Sequence, residues 1–102
     1  MCGRNVLMAA EELLVKYAEG ERNFRDAKLM GANLFGANLS SVNLSHADLS
    51  GANLKDADLK DANLSHAYLL CADLTRTDLR RADLSETFLI GANVDDALGY
   101  HP

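Results

Sequence analysis

Between Arg22 and Asp96 a large apolar residue returns at every fifth position: Phe24, then leucine from Leu29 to Leu89, then Val94. Two residues earlier stands a small one, nearly always Ala, with Val42, Thr77 and Thr87 as variants. An α-helix turns about 100° per residue, so a step of five would place successive leucines roughly 140° apart and smear the stripe around the cylinder. A long flat strand fails as well, because an odd step sends successive leucines to opposite faces of the pleat. The direction of the chain must therefore be reset in every unit. Short extended pieces separated by corners meet that requirement, and the chain winds around its own leucines as a β-solenoid.

Fifteen units follow without a slip, among them ANLSS, VNLSH, ADLSG, ANLKD and ADLKD. The tandem A(D/N)Lxx pattern resembles the pentapeptide repeat family over about three quarters of the chain. The resemblance implies an all-β solenoid, a right-handed quadrilateral parallel β-helix with four pentapeptides per coil. The central residue (i) and the residue at i−2 would then face inward, and i−1, i+1 and i+2 outward. The outward exceptions test the coil size independently: Tyr68 and Phe88, Leu70 and Ile90, and His46 and His66 are each twenty residues apart. Four units per coil would place each pair one above the other, about 4.8 Å apart. Fifteen units make under four coils. The stacked Asn23, Asn43 and Asn63 are expected to add ladder hydrogen bonds between coils.

Ahead of the repeats the period changes. Val6 to Glu19 carries Leu7, Ala10, Leu14 and Tyr17 at helical spacing, with Asn5 placed to N-cap and Gly20 to stop the helix. This predicts an N-terminal α-helical cap over the open edge of the first coil. Its polar face holds Glu11, Glu12 and Glu19, the wrong sign for an anionic membrane. The expected organisation is an N-terminal segment over residues 1–21, the β-helix over 22–96 and a C-terminal tail over 97–102. That tail leaves the last coil uncapped, so a homodimer through this end or through an apolar face is expected. The stretch EELLVKYAEGERNF ahead of such repeats resembles family members common in photosynthetic bacteria.

Specificity must lie in the outward columns. Tyr68, Leu70, Cys71, Phe88 and Ile90 would form one apolar patch near the C-terminal end, the expected interface. The tail residues Leu98 and Tyr100, folded back over it, are the competing explanation. In another column Asp26, His46, His66 and Glu86 align, and His46 and His66 are candidates for a metal or pH-sensing ladder. A convex face offers no second shell to hold ligands, so no metal and no other cofactor is expected. Ser45 and Ser65 beside these histidines lack an oxyanion hole and a pocket, and no catalysis is expected.

Composition narrows the classes further. The formal net charge is −5, and Arg22 to Asp96 holds eleven Asp and Glu against eight Lys and Arg. No face is basic, so direct nucleic-acid binding is not expected. Some proteins of the resembling family mimic B-DNA and act on DNA gyrase. That alternative needs a sustained acidic stripe, whereas Asp58, Asp73 and Asp78 here lie among Lys55, Lys60, Arg76, Arg80 and Arg81. No apolar run approaches a membrane span and no signal peptide is evident, which points to the cytoplasm. Cys2 and Cys71 form neither a disulfide framework nor a metal-binding spacing. The functional expectation is a non-catalytic protein-interaction scaffold.

Overall fold

The computed structural model describes residues 7–102. The repeats wind as a four-sided parallel solenoid in which every bridge joins residues twenty apart, from Asn23 with Asn43 to Asp78 with Leu98. Side one is built on Phe24, Leu44, Leu64 and Leu84, side two on Leu29, Leu49, Leu69 and Leu89. Side three follows with Leu34, Leu54, Leu74 and Val94, and side four with Leu39, Leu59 and Leu79. Each side is so short that a single paired residue separates two corners. Three backbone bonds per unit still tie neighbouring coils: Phe24 N–H to Asn43 O, Asn43 N–H to Arg22 O and Asp26 N–H to Ser45 O, at 2.8–3.0 Å.

Each corner closes with a hydrogen bond from the next i−2 amide to the central carbonyl, as in Ala27 N–H to Phe24 O at 3.1 Å. The residue at i+2 has φ between 56° and 77° at all fifteen corners. A type II turn demands a left-handed residue at its third position. Only Gly31, Gly36, Gly51 and Gly91 occupy it without a Cβ; the other eleven are Asp, Ser, His, Cys, Arg and Glu.

A side-chain bond offsets that backbone cost. Each of the twelve Asn and Asp residues at i−1 accepts, through Oδ1, the backbone N–H of i+1 in its own unit at 2.9–3.3 Å. This Asx bond fixes the entry to the corner. The expected ladder between coils is reduced to a single bond, Asn43 Nδ2 to Asn23 Oδ1 at 3.3 Å. The carboxamide oxygen is already engaged locally, and the nearer donor wins.

Leucines from Leu29 to Leu79 are almost wholly buried, and Ala47, Ala52, Ala57, Ala62, Ala67 and Ala72 fill the corners beside them. Thr77 keeps the same place although polar, because its hydroxyl donates to Leu54 O at 2.7 Å. The last coil is less enclosed: Leu84, Leu89 and Val94 are only partly buried, with Tyr100 packed against the same core.

Helix α1 runs Ala10–Ala18, shorter than the periodicity predicts. Leu7 to Ala9 precede it without helical structure, and Ala9 at the N-cap offers no side-chain bond. Asn5 and Val6 lie outside the described residues. The stop at Gly20 is as expected: with φ of 103° it donates to Tyr17 O while Glu21 N–H reaches Lys16 O, both at 3.0 Å, a Schellman closure. Leu13 is fully buried in the repeat core, and the Tyr17 hydroxyl donates to Ser40 O at 2.7 Å. Arg22 stacks over the Tyr17 ring at 3.7 Å. Met8 N–H donates to Lys28 O at 2.8 Å, adding a contact to the first coil on side two. Among the described residues no helix is long and apolar enough to cross a membrane.

Candidate interaction face

Side two departs from the rule that governs the others. Its i−1 column reads Lys28, Asp48, Tyr68 and Phe88, and its i+1 column Met30, Ser50, Leu70 and Ile90. Three of its four units thus lack the Asx acceptor that every unit on sides one and three carries. In the upper coils an aromatic ring takes its place. The Tyr68 and Phe88 rings stack with centroids 4.8 Å apart and 8° between planes, a spacing imposed by the coil repeat.

The rings are not covered. Tyr68 is 43%, Phe88 45% and Ile90 79% exposed, Cys71 is an exposed free thiol and Leu70 is half-buried. The structure thus brings all five expected patch residues onto one face. The corner beyond Leu70 and Ile90 carries Gly51, Cys71 and Gly91, so no long side chain overhangs the face there. An ideal Cβ on Gly91 would sit 3.0 Å from Cys71 Sγ, which shows how closely that corner column is stacked.

The tail does not fold over the patch. Leu98 continues the winding on side four by bridging Asp78, opposite side two, and Gly99 turns at a φ of 78°. A Cβ at Gly99 would lie 2.7 Å from Arg80 Cα, so only glycine fits this departure from the coil. Phe35, outside the patch that the sequence predicts, is 57% exposed on side three at the first coil. Its signal is legible in the unit ANLFG, where an aromatic stands at the outward i+1 position.

The histidine pair also stacks, with centroids 4.7 Å apart and planes 8° apart. Among the described residues no group of three or more His, Cys, Asp or Glu is placed to hold a metal ion. Neighbouring Asp83 has its carboxyl pulled below the ordinary range by the Ser85 hydroxyl and amide, with His66 adding to the effect.

Sides three and four carry paired charges. Arg76 forms two hydrogen bonds to Asp56 one coil below, at 2.7 and 3.2 Å, and Arg81 does the same to Asp61 at 2.8 and 3.1 Å. Arg80 grips Asp78 within one unit at 2.9 and 2.7 Å, and Lys60 lies 3.6 Å from Asp58. The Arg80 hydrogen bonds hold Asp78 down at about 2, and Arg76 and Arg81 lower Asp56 and Asp61 in the same way.

No curated protein sequence matches the chain at a significant level. A family model for pentapeptide repeats matches eight copies over residues 23–56 and 57–96. Among solved structures, a pentapeptide repeat protein from the cyanobacterium Cyanothece 51142 is 38% identical with a TM-score of 0.73, covering 74% of this chain and 52% of its own. Another, from the Arabidopsis thaliana thylakoid lumen, is 36% identical with a TM-score of 0.68, covering 71% of this chain and 50% of its own. HetL, a pentapeptide repeat protein involved in heterocyst differentiation regulation in Nostoc sp. strain PCC 7120, is 36% identical with a TM-score of 0.53. It covers 74% of this chain and 38% of its own. The chain spans about half the length of the first two. Proteins of this kind fold as right-handed quadrilateral β-helices. With the five-residue period, the four-sided coil and the family match all in agreement, the chain belongs to the pentapeptide repeat family.

Proposed function

We propose that this protein is a non-catalytic interaction scaffold that engages a protein partner through the Tyr68, Leu70, Cys71, Phe88 and Ile90 face. The observation that carries the reading is the loss of the Asx acceptor at Tyr68 and Phe88. An Asn or Asp there would give the corner a hydrogen bond, so the two rings are not what the repeat itself asks for. Clustered exposed aromatics on one face mark interfaces more often than scattered apolar residues do. Helix α1 belongs to the proposal as a cap: Leu13 plugs the first coil, and Leu13→Asp is expected to unfold the N-terminal coils first. A cytoplasmic location is also part of it, and Cys71 as an exposed thiol suits a reducing compartment.

The DNA-mimic alternative asks for unpaired acidic columns, and the ion pairs of Asp56, Asp61 and Asp78 weigh against it. The sensor alternative has only the two stacked imidazoles in its favour. The relation to HetL, itself involved in a regulatory process, agrees with a scaffold that works by contact.

The test uses the natural protein and Ile90→Asp as paired baits, with each captured protein identified and its binding reconstituted from purified components. Ile90 is the most exposed residue of the face, so its replacement should leave the melting temperature unchanged. A reconstituted partner lost only by Ile90→Asp supports the reading. Partners retained equally by both overturn it.

A further inference from the structure

We infer that the partner of side two is a cationic amphipathic helix: a segment with an apolar stripe bordered by Lys and Arg. The inference rests on the interaction reading above and adds the chemistry of the occupant.

Charge is distributed very unevenly around the solenoid. Above the first coil, sides one and two carry Asp48, Asp83 and Glu86 and not one Lys or Arg. The five Lys and Arg residues of those coils, Lys55, Lys60, Arg76, Arg80 and Arg81, are all on sides three and four. Among the described residues the ion pairs follow the same division, with Arg25–Asp26 in the first coil as the exception.

The unpaired acids border the apolar face. Asp48 lies directly below Tyr68 in the same column, bridged to it across the coils. Glu86 stands at the corner two residues before Phe88, and Asp73 on the first outward position beyond the Cys71 corner. The Thr75 hydroxyl, followed by its amide, lowers the Asp73 carboxyl, with Lys55 and Arg76 of side three adding to the effect, so this border is anionic at neutral pH. An apolar centre with acids on both borders is complementary to a stripe with basic edges.

The dimensions suit a helix. One helical turn rises about 5.4 Å, against the 4.8 Å between the Tyr68 and Phe88 rings. A helix lying along the solenoid axis therefore sets residues at i and i+3 or i+4 on successive coils, one near Tyr68 and Leu70 and the next near Phe88 and Ile90. Its diameter of about 10–12 Å spans one side and brings basic residues on its flanks over both borders. A second copy of this chain fits less well. Two copies meeting through side two would bring Asp48 and Glu86 of each towards acids of the other. An anionic lipid surface has the wrong sign.

The test uses the reduced full chain and two synthetic amphipathic peptides with the same Leu/Phe stripe, one flanked by Lys and the other by Glu. Affinity is read by fluorescence anisotropy at low and high salt. The Lys-flanked peptide is expected to bind at least about tenfold tighter than the Glu-flanked one and to weaken as salt rises. Asp48→Asn with Glu86→Gln should weaken it several-fold without shifting the melting temperature, and Ile90→Asp should abolish it. Equal binding of both peptides, lost with Ile90→Asp, overturns the cationic preference and leaves the apolar interface standing. No binding, with light scattering showing a dimer that Ile90→Asp dissociates, gives the face to a second copy and overturns the inference. No binding to a monomer, with Ile90→Asp equally silent in partner capture, removes the inference and the interaction reading together.

Discussion

Sides three and four of the solenoid and sides one and two share one core and differ almost wholly outside it. On the first pair Arg76 and Arg81 clasp carboxylates one coil below, and Arg80 one beside it. On the second pair, above the Arg25–Asp26 contact of the first coil, the acids have no such partners among the described residues, and in its upper coils side two exchanges its corner-forming Asn or Asp for stacked rings. Leu59 behind the charged face and Leu69 behind the apolar one are equally buried. Folding therefore constrains the inner positions alike on every side and asks of the outer ones only an Asx acceptor at i−1 and a left-handed residue at i+2. A departure outside, where folding does not ask for it, is the informative kind.

The largest effects should be blind to this division. Leu59→Ala and Leu69→Ala are each expected to cost about 2–5 kcal/mol in urea unfolding, because both empty a fully buried site in the shared core, on opposite sides of it. A much smaller loss at Leu69 would mean that the two halves differ in the core as well as on the surface. Corner substitutions come next. Gly91→Ala should destabilise by about 1–3 kcal/mol through its left-handed backbone and its contact with Cys71. Gly51→Ala, with open space around its Cβ, should cost only the backbone part, about 1 kcal/mol. Equal melting temperatures for the two would show that the Cys71 column yields freely.

Tyr68→Asn sharpens the contrast at its centre. It restores an Asx acceptor, worth about 0.5–1.5 kcal/mol, and removes a ring stack of similar worth. Stability should stay within about 1 kcal/mol of the natural protein while partner binding falls, and a large destabilisation would make the ring a structural element after all.

Acid should act mainly on the charged half. The folded-state values of Asp78, at about 2, and of Asp56 and Asp61 lie below the ordinary 3.8. Their contribution is therefore complete above the unfolded value and is lost as pH falls through the folded ones. Stability should decline between about pH 4 and 2, and Asp78→Asn should flatten the decline; an unchanged slope would remove Asp78 from the account. The smallest effect belongs to Arg81→Gln. Its pair with Asp61 is exposed, so the change in melting temperature should be slight and vanish near 0.5 M salt, where the screening length is only about 4 Å.

Much of this was legible in advance because a repeat multiplies its evidence. The twenty-residue spacing of Tyr68 and Phe88 gave the coil size, and both ring stacks occur where that spacing puts them. The Asn column stacks as its spacing predicts, yet only Asn43 and Asn23 bond across coils. Its oxygen had a nearer donor two residues ahead, a choice made by the turn and invisible in the spacing. The helix start was overextended because apolar periodicity continues into Leu7, although Leu7 to Ala9 are not helical.

What the sequence determined by itself is the interior and its consequences: which residues face in, four sides to a coil, and the columns that stand one above another. The inward positions follow from the five-residue period, and the four-sided coil from the twenty-residue spacing of the outward exceptions. Tertiary structure decided the rest. It set which carboxylates found arginines, placed Leu98 beside Asp78 on the side away from the apolar face, and buried Leu13 in the repeat core. Such outcomes depend on side chains meeting across a coil or at an end of the rod, where the repeat no longer supplies identical neighbours and distance rather than period selects the partner.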